Sequence, residues 1–222
     1  MFVGHYAAAF ALKAKVPKTS LGMLFLATQF VDILFFPFAL WGIEHLEFVE
    51  GYTQVNNFKM EFPFTHGLVA SVLWAALFYL LYYFLGKQND TKKHKVAIAM
   101  GLAVFSHWII DFIAHTPDLP ILYGPPKLGL GLWYYKSLTF IVEALLLLLG
   151  WMYYMKRTKP KKRWGTYASY AFFVFLILVN YLNFYVLPAS EDLMGLTTSA
   201  LFAYFFLAFL AHLMDKGRIT DR

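Results

Sequence analysis

The segment Ser106-His107-Trp-Ile-Ile-Asp111-Phe-Ile-Ala-His115-Thr-Pro-Asp118 concentrates metal-binding chemistry in a short stretch. His107, Asp111 and His115 recur every fourth residue and so share one face of a helix. Imidazole nitrogen and carboxylate oxygen both ligate zinc, and ligands one turn apart can grip one ion. His107 and His115 lie about 12 Å apart along a helix axis, too far to share an ion comfortably. Either Asp111 bridges two ions, or His115 supports the ligands from outside or meets substrate. Asp32 and Glu143, with His5 and His66, complete the set of unusual ionisable residues.

They are unusual because of what surrounds them. Of 222 residues, 60% are apolar, 20% aromatic and only 14% charged. That is too little charge to cover a water-soluble chain of this size. The absence of cysteine excludes disulfides, thiolate zinc sites and iron–sulfur clusters. The net charge of +6 does not point to nucleic acid, because the cations fall in loops between apolar runs. No phosphate-cradling glycine loop and no His-Glu-x-x-His motif is present.

Six stretches, 21–43, 65–86, 96–115, 130–155, 166–187 and 193–214, reach the roughly 20 apolar residues that a spanning helix needs. The expected fold is an all-α polytopic membrane bundle, a single domain over 1–222. Lys/Arg-rich and Glu/Asp-rich loops alternate along the chain, which predicts both termini on the cytoplasmic side of the cell membrane. Met1–Ala14 is apolar but too short to span. It either lies in the interface or rises as a half-helix from Lys13, which carries His5 about 12 Å inward, near Asp32. Thr19 or Ser20 would cap the next helix.

Asp32, Asp111 and Glu143 then sit at membrane depth, where each costs about 2.5–3.5 kcal/mol on insertion scales. Buried carboxylates persist when protonated, paired or metal-bound. His66, at the start of the second span, and Lys136, in the outer half of the fourth, fall at the same depth. Gln29 reads as helix-packing glue.

At these residues the chain resembles the predicted membrane-bound metal-dependent hydrolases of bacteria, grouped by distant similarity with zinc-dependent phospholipase C and single-strand nucleases. The resemblance covers the first two thirds: His5, Asp32, Thr65-His66, and Ser106-His107 with Asp111. It implies these five, His5, Asp32, His66, His107 and Asp111, as ligands of zinc or another divalent metal. The family's Pro-Asp-x-Asp element reads Val31-Asp32-Ile33-Leu34 here, and its Thr-His-Ser reads Thr65-His66-Gly67, which points to one or two ions rather than three.

The expected activity is hydrolysis of a lipid or other membrane-proximal ester or phosphoester. Glu143 is the candidate general base, Lys136 the candidate partner of an anionic head group, and His115 a third candidate catalytic residue. The competing readings are a proton-coupled transporter, against which unbroken spans count, an iron oxygenase, for which the histidines are too few, and a non-catalytic membrane subunit. Residues 156–222 carry no recognisable chemistry.

Overall fold

The computed structural model describes residues 2–86, 90–188 and 191–220. The chain folds as an all-α bundle. Helix α1 spans Tyr6–Lys15, α2 Leu21–Thr28, α3 Phe30–Leu40, α4 Leu68–Leu85, α5 Asp90–Ala114, α6 Lys136–Arg157, α7 Arg163–Tyr185 and α8 Leu193–Lys216. The last five are long and apolar enough to cross a membrane, and the pair α2–α3 makes a sixth if counted as one span. Helix α4 packs along α5 and leaves Leu73, Leu80, Leu81, Phe84 and Leu85 exposed. So large an apolar surface suits lipid rather than water.

The N-terminal segment is a half-helix inside the bundle, not a helix on its surface. A 3-10 turn, Val3–His5, leads into α1, and Val3, Tyr6, Ala9 and Phe10 are fully buried. Tyr6 stacks on Phe25 at 4.1 Å between ring centroids. α1 approaches α6 so closely that a Cβ at Gly150 would lie 2.5 Å from the carbonyl oxygen of Ala7. Ser20, not Thr19, caps α2, its hydroxyl accepting from the Met23 N–H.

The first apolar stretch is not one continuous helix. It bends by 47° between α2 and α3, at Gln29, whose φ and ψ are −109° and 8°. Two side chains fix the break. Gln29 Nε2 donates to the carbonyl of Phe2, and the carbonyl of Thr28 accepts from His107 Nδ1. These bonds give groups at the interrupted turn partners outside the helix ladder.

Outside the helices, β1 (His45–Phe48) and β2 (Phe58–Glu61) form an antiparallel hairpin in register His45↔Glu61. A second pairing, Thr158–Pro160 with Arg218–Thr220, closes the opposite end. Arg218 is buried there, donating to the hydroxyl and carbonyl of Thr158. Near the same end Lys13 Nζ meets Asp215 at 2.8 Å, and Tyr154 Oη donates to that carboxylate. This ties the foot of α1 to α8 and α6.

Candidate metal centre

Helix α5 lays out the first part of the site. His107 and His115 stand one turn either side of Asp111, and the two rings lean toward it. Their Nε2 atoms lie 2.9 and 3.4 Å from the same oxygen, Asp111 Oδ2. The 12 Å separation of the backbones therefore does not separate the imidazoles. The buried N-terminal turn adds His5, with Nε2 3.3 Å from Asp111 Oδ1 and its ring 3.8 Å from that of His107. The break at Gln29 puts Asp32 in the first turn of α3, where a helix N-terminus favours negative charge. His66 comes from the turn before α4. Its Nε2 is 3.1 Å from Asp32 Oδ1 and 3.7 Å from Asp111 Oδ2. His107 Nε2 is 3.6 Å from Asp32 Oδ1.

Four imidazoles thus turn Nε2 toward two carboxylates. What holds their other nitrogens settles which atom is presented. A carbonyl only accepts, so His107 Nδ1 donates to Thr28 O at 2.7 Å. Thr65 Oγ1 gives its proton to Glu44 Oε2 and so accepts from His66 Nδ1, both at 2.8 Å. His115 Nδ1 donates to Asp118 Oδ1 at 2.9 Å, while Thr116 Oγ1 donates to Asp118 Oδ2. With Nδ1–H committed, a neutral ring offers a lone pair at Nε2. Lone pairs of three histidines then face carboxylate oxygens, which also only accept. Such an arrangement requires positive charge between them, as protons on the rings or as a metal ion.

Several features fit a metal. His5, His107 and Asp111 each offer a ligand atom, all within 4.8 Å of one another, and so do Asp32, His66 and His107. Neither His5 nitrogen nor His107 Nε2 has a hydrogen-bond partner, although all are buried. Carboxylate, hydroxyl and carbonyl partners behind the histidines are the arrangement that orients imidazoles on metals. Buried Glu44 also accepts from the N–H groups of Phe64 and Thr65. Burial raises the Glu44 carboxyl above its usual range, against the pull of His66 and these bonds. The side chains of His5, His66, His107, Asp111 and His115 are at most 4% exposed, against 17% for Asp32. The cluster therefore meets its surroundings along one edge of Asp32. Tyr204 Oη, on α8, donates to the other Asp32 oxygen at 3.0 Å.

The structure brings together His5, Asp32, His66, His107, Asp111 and His115. Glu143 stands beside them in a different posture. Its carboxylate accepts from the N–H groups of Phe2 and Gly4 at 3.1–3.3 Å, and so clamps the turn that carries His5. Lys136 is not brought to the cluster. It is the first residue of α6, and its ammonium lies over the ring of Tyr185, 5.2 Å from the centroid. Glu44 and Tyr204 are additions that the sequence reading missed. Glu44 resembled any other loop charge, and Tyr204 sits among the phenylalanines of an apolar helix with nothing to single it out. No protein-family model, curated protein or solved structure matches the chain.

Proposed function

We propose that the protein is a multi-pass membrane hydrolase that uses zinc or another divalent metal to cleave a lipid or other membrane-proximal ester or phosphoester. This is the activity that its resemblance to membrane-bound metal-dependent hydrolases implies. The observation that carries it is the convergence of four Nε2 atoms on two carboxylates, with three Nδ1 atoms held from behind by Thr28, Thr65 and Asp118. His5, Asp32, His66, His107 and Asp111 hold one or two ions, with His115 at their margin.

A bound divalent ion supplies a Lewis acid and lowers the pKa of its water from 15.7 toward about 7. The chain's own residues do the rest. Asp32, the one partly exposed member, meets water and substrate, and Tyr204 holds its second oxygen in place. Glu143 keeps His5 in register through the N-terminal turn. The buried walls exclude bulk water, which strengthens every charge interaction within.

The loop charges place both termini on the cytoplasmic side of the cell membrane and the site in the opposite half. Elemental analysis of the purified protein, beside a His107→Ala, Asp111→Ala variant, tests the reading. Bound metal in the parent, its loss in the variant, and metal-dependent cleavage of bis-p-nitrophenyl phosphate or lipid are expected. Equal, near-zero metal in both refutes it.

One observation favours a second reading, a proton-coupled transporter. The first span is broken beside Asp32, as spans at transport sites often are. Solute flux in metal-stripped vesicles that stops on Asp111→Asn would select that reading.

A further inference from the structure

Helices α7 and α8 hold two buried polar side chains that the fold leaves without partners. Asn180 is fully buried on α7, in a seam otherwise made of Phe172, Leu176 and Phe184, and neither its amide nitrogen nor its amide oxygen is hydrogen-bonded. Thr197, on α8, is 4% exposed, and its hydroxyl also has no partner. Hydroxyls in spanning helices ordinarily bond back to their own helix. The next two residues do so, Thr198 to the carbonyl of Met194 and Ser199 to that of Leu196. Asparagine in such helices ordinarily bonds across to a neighbour, and Asn180 does not. An unpaired buried amide or hydroxyl opposes folding, so both groups weaken the bundle unless something else satisfies them.

Their position says what that is. α7 and α8 pack antiparallel, and counting from the connection between them Asn180 and Thr197 both lie about 6–8 Å inside the helix ends. α6 begins and α5 ends at that same end of the bundle, with Asp111 about 5 Å inside α5. Thr197 and Tyr204 are seven residues apart and so share the α8 face on which Tyr204 reaches Asp32. Further along the α7–α8 seam runs an apolar groove of about 550 Å³, lined by Trp164, Ala168, Phe175, Leu210 and Leu213 among others. Polar groups near one end and an apolar groove further in match a lipid better than a water-soluble molecule.

We propose that Asn180 and Thr197 form a head-group subsite that hydrogen-bonds the uncharged, hydroxyl-bearing part of a lipid, such as a glycerol head, while the reacting ester lies against Asp32. The proposal rests on the hydrolase reading for the fate of the lipid but not for its binding. An amide and a hydroxyl, each both donor and acceptor, match hydroxyl groups and offer no charge to a quaternary ammonium.

The test uses the full chain incubated with vesicles of phosphatidylglycerol or phosphatidylcholine, with retained lipid measured by mass spectrometry after transfer to detergent. The parent retains phosphatidylglycerol about tenfold better, the scale of one or two net hydrogen bonds. Asn180→Leu and Thr197→Val each abolish that preference while leaving metal content and bis-p-nitrophenyl phosphate cleavage unchanged. In lipid-free detergent, Asn180→Leu also melts higher than the parent, because it removes an unpaired amide. If Asn180→Leu does not fold, the nearly isosteric Thr197→Val decides alone. No preference in the parent, or a preference that survives in Thr197→Val, overturns the subsite. A preference that depends on Asn180 and Thr197 in a protein without metal or esterase activity overturns the hydrolase reading and leaves the subsite standing.

Discussion

Replacing Glu143 with glutamine separates two roles that its position would allow. The carboxylate accepts from two buried backbone donors, Phe2 N–H and Gly4 N–H. A hydrogen bond to a charged group contributes about 1.5–3 kcal/mol, so the pair holds the N-terminal turn with roughly 3–6 kcal/mol. Glutamine keeps one carbonyl acceptor but turns an NH₂ toward the second donor, removing about half of that. A loss of about 2 kcal/mol in the docked state of His5 weakens metal binding by about thirtyfold. The measurement is a metal dissociation constant by competition with a chromogenic chelator, alongside turnover at saturating metal. The reasoning predicts weakened metal affinity with much of the turnover recovered when metal is in excess. A proton-accepting Glu143 would give the reverse, unchanged affinity and abolished turnover. That result would refute the positioning role.

Thr65→Val removes the hydroxyl between Glu44 and His66, frees the His66 ring and leaves Glu44 short of a donor. Metal affinity should fall about 10–100-fold, as for other groups that orient metal-binding histidines, checked by the same competition assay. Tyr204→Phe removes the single bond from α8 to Asp32. A loss of about 1 kcal/mol, or roughly fivefold in kcat/KM with metal content unchanged, is expected. Gly150→Ala drives a methyl into the Ala7 carbonyl. It should lower the unfolding midpoint by the equivalent of about 1–3 kcal/mol in a thermal melt, because both atoms belong to close-packed helices.

The part of the site that was legible in the sequence is the part that local geometry fixes. His107, Asp111 and His115 share a face by helix periodicity alone, and the rise per residue carried His5 to their depth. The spanning helices were legible from length and apolarity. The break at Gln29 was not, because Leu21–Leu40 is apolar on both sides and one glutamine is no helix stop. Its cause is tertiary, a carbonyl drawn to His107 and an amide drawn to Phe2. The axial separation of His107 and His115 misled for a related reason, since it measures backbones while flexible side chains decide where nitrogens meet. Lys136 looked like an intramembrane cation only while its helix was thought to start near residue 130. It begins the helix instead, which lets the long side chain run toward the helix end. Glu44 shows the opposite failure, a residue that looked like loop charge yet reaches a buried threonine twenty-one positions away.

The distribution of the cluster along the chain has a consequence for biogenesis. Every histidine and aspartate in it lies at or before position 115, so a growing chain has produced all of them once α5 emerges. The residues that trim the cluster, Glu143 and Tyr204, come from helices made later. Until α6 is inserted, the turn carrying His5 has no carboxylate to clamp it, and until α8 arrives, Asp32 lacks its phenol. Capture of a cation by the nascent five-helix intermediate would neutralise two carboxylates before the rest of the bundle closes over them, whereas a chain finishing without one must enclose those charges on protonated histidines. Metal supply during synthesis, rather than exchange into the finished protein, is then the step at which the site is filled.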